Sequence, residues 1–301
     1  MIVLNVFLTI VSPVCVVVLL GMAVRYWMRL PVVPLNRIAL YIFVPALVFL
    51  GMATTDLPME QMGKIVLFAV TLILIMWGLS YAVSKGLRLD PTTQGTFILA
   101  SVFMNSGNLP LPIINLAFGP EVLDRGLVFF TTQAVLVATL GVFVISRGHS
   151  DIRGSLQSII KMPLPYAAIL GLAVNFSNTA IPTPLLHLAE LLSGAAFPTM
   201  LVVLGFQLVD QSTLSQWRLA LIATGLRIGV GLALGFALME LFNMDHLSRN
   251  ALLIQSAAPT AVIVTILATE FNSKPSLATA VVLISTIFSL PALTGLISFL
   301  V

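Results

Sequence analysis

Long apolar runs, broken by short polar punctuation, recur from one end of the chain to the other. A helix needs about 20 predominantly apolar residues to cross the hydrocarbon core of a bilayer. By that measure residues 2–24, 35–53, 65–83, 93–118, 123–145, 163–176, 185–209, 218–242, 249–269 and 277–300 form ten predicted membrane helices. No basic residue precedes the first, so it does not read as a cleaved signal peptide. The longest polar interruption carries Arg147, His149, Asp151, Arg153 and Lys161 and separates five spans from five. It divides the chain into a first five-helix repeat (1–145), a cytoplasmic linker (146–162) and a second repeat (163–301). Because five is odd, the two halves must lie in opposite senses, which is the arithmetic of an inverted-repeat transporter. Phe43-Val44-Pro45 followed by Leu50-Gly51 in span two is echoed by Ala196-Phe197-Pro198 followed by Leu204-Gly205 in span seven.

Composition sharpens this pattern. Of 301 residues, 59% are hydrophobic and 8% charged, against roughly 25% charged in a soluble domain. So few ionic side chains cannot cover a soluble globule of this size, which excludes a cytosolic enzyme, a nucleic-acid binder and a disordered chain. The expected class is an all-α polytopic membrane protein. Its net charge of +3 then bears on topology. Loops after odd spans hold ten Lys or Arg residues, while loops after even spans hold Lys64, Arg125 and Arg249. The positive-inside rule therefore predicts a cytoplasmic linker and both termini on the non-cytoplasmic side of the cell (inner) membrane. Cys15 is the single cysteine, so neither a disulfide framework nor a cysteine zinc site is available.

Chemistry concentrates where an apolar run turns polar in its middle. Span four contains Asn105-Ser106-Gly107-Asn108-Leu109-Pro110-Leu111-Pro112. Proline removes a backbone donor and clashes with the preceding turn, and glycine permits non-helical dihedrals, so this predicts an unwound break. Backbone groups freed there need protein or a watery cavity around them. Span nine is milder, with Gln255, Ser256, Pro259 and Thr260 close together. Each break reads either as a binding site or as helix-packing glue. Gln133, in span five, carries the same two readings. Arg227 lies about 14 Å along span eight from Arg218, near mid-membrane. It is read either as an anion attractor or as a cation paired with a carbonyl or an acid. His187 and Glu190 share a helix face and are read either as a proton-coupling pair or as interfacial groups reaching water. No phosphate loop, catalytic triad or metal spacing occurs, which argues against an enzyme and against a bound metal.

These same segments carry a family resemblance. The run from Leu35-Asn36-Arg37 to Phe43-Val44-Pro45-Ala46-Leu47-Val48-Phe49, the 105–112 break, Pro198 through Gly205-Phe206-Gln207-Leu208, and Ala257-Ala258-Pro259-Thr260-Ala261 resemble the auxin efflux carrier family. That family includes plant PIN-like auxin exporters and bacterial permeases described as malonate or malate carriers. The resemblance implies ten helices as two inverted five-helix repeats, with broken helices four and nine crossing at their prolines. It implies a scaffold of spans one, two, six and seven that also makes a homodimer contact, and a moving transport domain formed by the rest. A substrate site at the crossover would be lined by Asn105, Ser106, Gly107, Asn108 and Pro110 with Ser256, Ala257, Pro259 and Thr260. Gln133 matches a glutamine near the substrate. The expected function is secondary active transport of a small organic anion, a mono- or dicarboxylate, by alternating access. H⁺ or Na⁺ coupling is open, and membrane lipid is the expected surrounding. A sodium-coupled carrier like the bile-acid symporters and an anion channel are the alternatives.

Overall fold

Prolines and glycines decide where the apolar runs stop being helix. In a computed structural model, residues 2–145, 163–177, 179–209 and 216–301 are described, and the expected 146–162 linker lies outside them. We number the helices α1 (Ile2–Met28), α2 (Val32–Thr54), α3 (Met59–Gly86), α4 (Pro91–Val102), α5 (Pro110–Phe118) and α6 (Pro120–Ile145). Then follow α7 (Pro163–Phe176), α8 (Thr183–Val209), α9 (Trp217–Leu241), α10 (His246–Ser256), α11 (Ile263–Glu270) and α12 (Pro275–Leu300). Seven of these, α1, α2, α3, α6, α8, α9 and α12, are long and apolar enough to cross a membrane, and α7 is a shorter apolar helix of 14 residues. The other four come in consecutive pairs. At 12 residues, α4 is about 18 Å long at 1.5 Å per residue, short of a hydrocarbon core of about 30 Å. The chain is thus an all-helical, multi-pass membrane protein, with predicted span four realised as α4 and α5 and span nine as α10 and α11.

Many helices begin on proline, whose missing N–H is no loss in the first turn: Pro91, Pro110, Pro120, Pro163 and Pro275 all open helices. Before Pro91 the Asp90 carboxylate caps α4, accepting from the amides of Thr92 and Thr93 (both 3.1 Å) and from the Thr93 hydroxyl (2.6 Å). The Thr93 hydroxyl bond holds this carboxyl below its ordinary range. A depressed carboxyl contributes stability that is present above its unfolded pKa and is lost as pH falls through the folded one. Asp90→Ala is expected to cost about 1 kcal/mol, read as a lowered melting temperature at pH 7 that converges with wild type below pH 3.

Packing sorts the helices into two groups. In the first, α1 lies along the second half of α8, while α7 and the first half of α8 lie on the Val44–Thr54 part of α2. In the second, α3 packs on α4 and α6, α10 on α6, and α9 and α11 on α12. Without a hydrophobic driving force inside lipid, helix pairs depend on close van der Waals approach, which small residues allow. A Cβ on Gly171 of α7 would sit 2.6 Å from the Phe49 carbonyl oxygen, and one on Gly21 of α1 would sit 2.6 Å from that of Val202. The outward faces are apolar, with Leu8, Leu19, Leu20, Leu74 and Ile287 all exposed. The inner short helices are the reverse: residues 95–102 and 250–262 are buried without interruption. The polar breaks therefore sit in the protein interior, where their backbone groups find partners.

Candidate functional site

The chain leaves helix after Val102 and re-enters it at Pro110, and it leaves again after Ser256 and re-enters at Ile263. The two unwound stretches bond to each other as a short antiparallel bridge between Met104 and Thr260. The Asn105 amide donates to the Pro259 carbonyl (2.7 Å), and the Ala261 amide donates to the Phe103 carbonyl (2.9 Å). Unwound peptide that would be costly in hydrocarbon is thus satisfied by its counterpart from the other break. Thr260 adds two braces: its amide donates to the Ser285 hydroxyl (3.0 Å) and its hydroxyl to the Ala100 carbonyl (2.7 Å). Ser285, on α12, carried no signal in the sequence beyond being one more serine in a helix.

Arg227 holds the ends of both broken helices. It is wholly buried and lies in a widened π-helical segment of α9, Gly225–Val230. Its Nη1 donates to the carbonyl of Val102 (3.1 Å), Nη2 to that of Ser256 (2.6 Å) and Nε to that of Ala258 (3.3 Å). Val102 and Ser256 are the last residues of α4 and α10, so one guanidinium caps two C-termini, where helix dipoles concentrate negative charge. No acid among the described residues pairs with it. Gly231 makes the room: a Cβ there would lie 2.5 Å from Nη2. Of the two readings of Arg227 in the sequence, its bonds are those of a cation paired with carbonyls.

Three amides gather on the Met104–Ser106 stretch. The Gln133 side-chain amide donates to the Met104 carbonyl, and that of Gln255 donates to the Ser106 carbonyl (3.1 Å). The Asn105 side-chain oxygen accepts from the Asn108 amide (3.2 Å), which fixes the turn into α5. Gln255 was visible in the sequence only as one polar residue of the milder break, although it occupies a position on the bridge comparable to that of Gln133. Asn108 is half-buried, whereas Asn105, Ser106, Gly107, Pro110, Ala257 and Pro259 are buried. A Cβ on Gly107 would lie 2.9 Å from Met200 of α8 and 2.9 Å from Phe130 of α6, so the break touches the first helix group here. The Ser256 hydroxyl is bonded back to the Leu252 carbonyl (2.7 Å).

The remaining candidates lie elsewhere. His187 and Glu190 are both exposed on the first half of α8, with no ion pair joining them among the described residues. Arg125, expected in a loop, instead sits in α6. It donates to the Glu121 carbonyl (2.6 Å), the Ser248 hydroxyl (3.2 Å) and the Asp245 carboxylate (3.1 Å), tying the start of α6 to that of α10. Among the described residues no group of three or more His, Cys, Asp or Glu side chains is placed to hold a metal ion.

The class of protein with which this interior of two interrupted, mutually bonded helices and this apolar exterior agree is the membrane transport protein. The family of that description matches the chain twice, over residues 6–154 and 152–297. The chain belongs to this family, the auxin efflux carrier family that the sequence motifs resemble. It is also similar to an uncharacterised transporter of Methanocaldococcus jannaschii, at 28% identity over 263 residues covering 85% of each chain. A second uncharacterised transporter, of Methanothermobacter thermautotrophicus, is 24% identical over 263 residues covering 86% of each.

Proposed function

We propose that this protein is a secondary active transporter of a small organic anion, a mono- or dicarboxylate, working by alternating access at the crossing of its two broken helices. The observation that carries the reading is the charge balance at the bridge. The Arg227 guanidinium neutralises the C-terminal ends of α4 and α10, while the N-terminal ends of α5 and α11 carry partial positive charge. What remains near the break is net positive potential lined by neutral amides. Such a site attracts a carboxylate without an unpaired, immobile counter-charge that would trap it. Pro110 and Pro112 carry no N–H, so α5 contributes few backbone donors and the side chains of Asn105 and Asn108 supply the rest. Net hydrogen-bond contributions of about 0.5–1.5 kcal/mol each, up to about 3 when charge-assisted, give an affinity from which cargo can leave.

The proposed architecture is ten spans as two inverted repeats, residues 1–145 and 163–301, joined by a cytoplasmic 146–162 linker. Two family matches in tandem and the lysine and arginine bias of the loops support it. The first helix group (α1, α2, α7 and α8) is the scaffold and the homodimer contact, and the second is the moving domain. Both termini lie on the non-cytoplasmic side of the inner membrane. Coupling is to H⁺ or Na⁺, with His187 and Glu190 as the exposed candidates for proton handling, and no metal cofactor takes part.

Asn108→Ala is expected to reduce carboxylate counterflow in proteoliposomes at least tenfold, with an unchanged melting temperature and elution profile. Full transport in that variant removes the site assignment. Running the same assay with and without sodium and pH gradients identifies the coupling ion, and flux that neither saturates nor exchanges identifies a channel.

A further inference from the structure

The braces at the bridge, the Asp90 cap and the bonds of Arg125 all lie within the second helix group, but one carboxylate reaches across to the first. Asp124 stands near the start of α6, half-buried, and its side chain is hydrogen-bonded to that of Thr55, the residue that follows α2. Thr55 is buried, and its hydroxyl oxygen accepts from the Leu57 amide (3.1 Å), which leaves the hydroxyl proton for the carboxylate. Asn175 of α7 secures this end of α2 within the first group, donating to the carbonyls of Ala53 (3.1 Å) and Thr55 (2.9 Å). The two groups approach closely here: a Cβ on Gly51 of α2 would lie 3.6 Å from Asp124 Oδ1 and 2.5 Å from Leu127 Cδ1.

Three ionisable groups are near enough to act on Asp124: Arg125 and Glu121 on its own helix, and Asp56 in the α2–α3 turn. Arg125 is spent on the Glu121 carbonyl, Ser248 and Asp245, while Asp56 and Glu121 are exposed. Of the other elements packed on α6, α3 begins with Glu60 and Lys64, bonded to each other (2.8 Å), and α10 begins with His246 and Arg249. No Asp, Glu, Lys, Arg or His occurs in α5 or α7.

Alternating access moves the second group along the first, and that movement parts Asp124 from Thr55. The adjoining stretch of α2, Val44–Thr54, has no charged residue and buries Leu47, Val48 and Met52. An ionised carboxylate is costly to carry off its donor into such surroundings, and a protonated one far less so. The charge-assisted bond from Thr55 also outweighs the neutral bond that a protonated acid accepts. We propose that Asp124 is a proton-operated latch: ionised, it holds the second group on Thr55 of the first, and a proton taken from hydronium in the adjacent water releases it. The proton returns to the same water when the latch closes, so none is carried across. This inference rests on the alternating-access reading and adds to it a positioning residue that controls the rate of movement.

The test is counterflow of radiolabelled acetate, lactate, malonate and succinate in proteoliposomes, with pH varied equally on both sides. Movement through the protonated form alone speeds up by as much as about tenfold for each unit of acidification. The wild-type rate is therefore expected to climb steeply from about pH 8 to about pH 6. Asp124→Asn, which mimics the neutral form, is expected to give a flat profile, faster than wild type at the alkaline end. Asp56→Asn, Glu121→Gln, His187→Ala and Glu190→Gln are expected to keep the wild-type slope. A merely structural Asp124 would lower the rate of the variant at every pH without flattening its profile, and that result overturns the latch. So does a flat wild-type profile, which needs no variant to fold. A flattened profile in His187→Ala or Glu190→Gln, with an unchanged one in Asp124→Asn, also overturns it. Each of these results leaves the anion reading standing where wild type exchanges any of the acids; exchange of none overturns both.

Discussion

Arg227→Met is expected to cost about 3 kcal/mol or more of stability, because hydrogen bonds to a charged group contribute about 1.5–3 kcal/mol each and their loss leaves buried acceptors unpaired. For a chain of this size that is a fall of roughly 5 °C or more in apparent melting temperature. Methionine keeps a flexible apolar stem, so the loss falls on the guanidinium and not on the packing. The carbonyls of Val102, Ser256 and Ala258 come from both breaks, so the variant loosens α4 from α10 as well as lowering stability. Arg227→Lys keeps the charge, but a point-like ammonium cannot reproduce the planar fork that reaches three acceptors. It should fall between wild type and methionine. Thermal unfolding in detergent, followed by counterflow on whatever remains folded, reads both effects. An unaltered melting temperature with intact transport in Arg227→Met would mean that the guanidinium is not what joins the two broken helices.

Gly205→Leu is expected to abolish recovery of monodisperse protein. A Cβ at 205 would lie 2.8 Å from the Met22 nitrogen and 3.0 Å from the Gly21 Cα, with the Val18 carbonyl oxygen nearer still. All three are backbone atoms of α1, so relief requires the whole helix to move. Overpacking costs typically 1–3 kcal/mol where side chains can shift, and here they cannot. Gly205→Ala should already lower the melting temperature. Gly78→Ala, in α3 with nothing within 4 Å of the added carbon, is the opposite case. It should be neutral or stabilising by up to about 1 kcal/mol, since alanine is the better helix former. Elution profiles and melting temperatures of the three variants measure the contrast, and equal behaviour at 205 and 78 would refute close α1–α8 packing.

The seven long apolar helices were legible because lipid imposes a simple rule on sequence: about twenty apolar residues, then polar punctuation. The break in span four was legible for an equally local reason. Asn105, Gly107, Asn108, Pro110 and Pro112 cannot sit together in a continuous helix, and the chain does unwind between Val102 and Pro110. Gln255 was harder to see, because one amide near a serine has the same local signature whether it binds, braces or faces a neighbouring helix. Arg125 was misleading for a related reason. Charge bias reports which loop a residue is near, and is silent on the Asp245 carboxylate that α10 brings to it.

The sequence by itself determined that this is a multi-pass α-helical membrane protein of the auxin efflux carrier family with helices interrupted at their prolines. Those properties follow from hydropathy, proline chemistry and motif order, all of which are local along the chain. Tertiary structure alone decided that the two interruptions bond to each other, and that Arg227 pairs with carbonyls rather than with an acid. It also decided which carbonyls the amides at the bridge hold. These outcomes depend on which groups the packing of separate helices brings within hydrogen-bonding distance, and no local pattern encodes that.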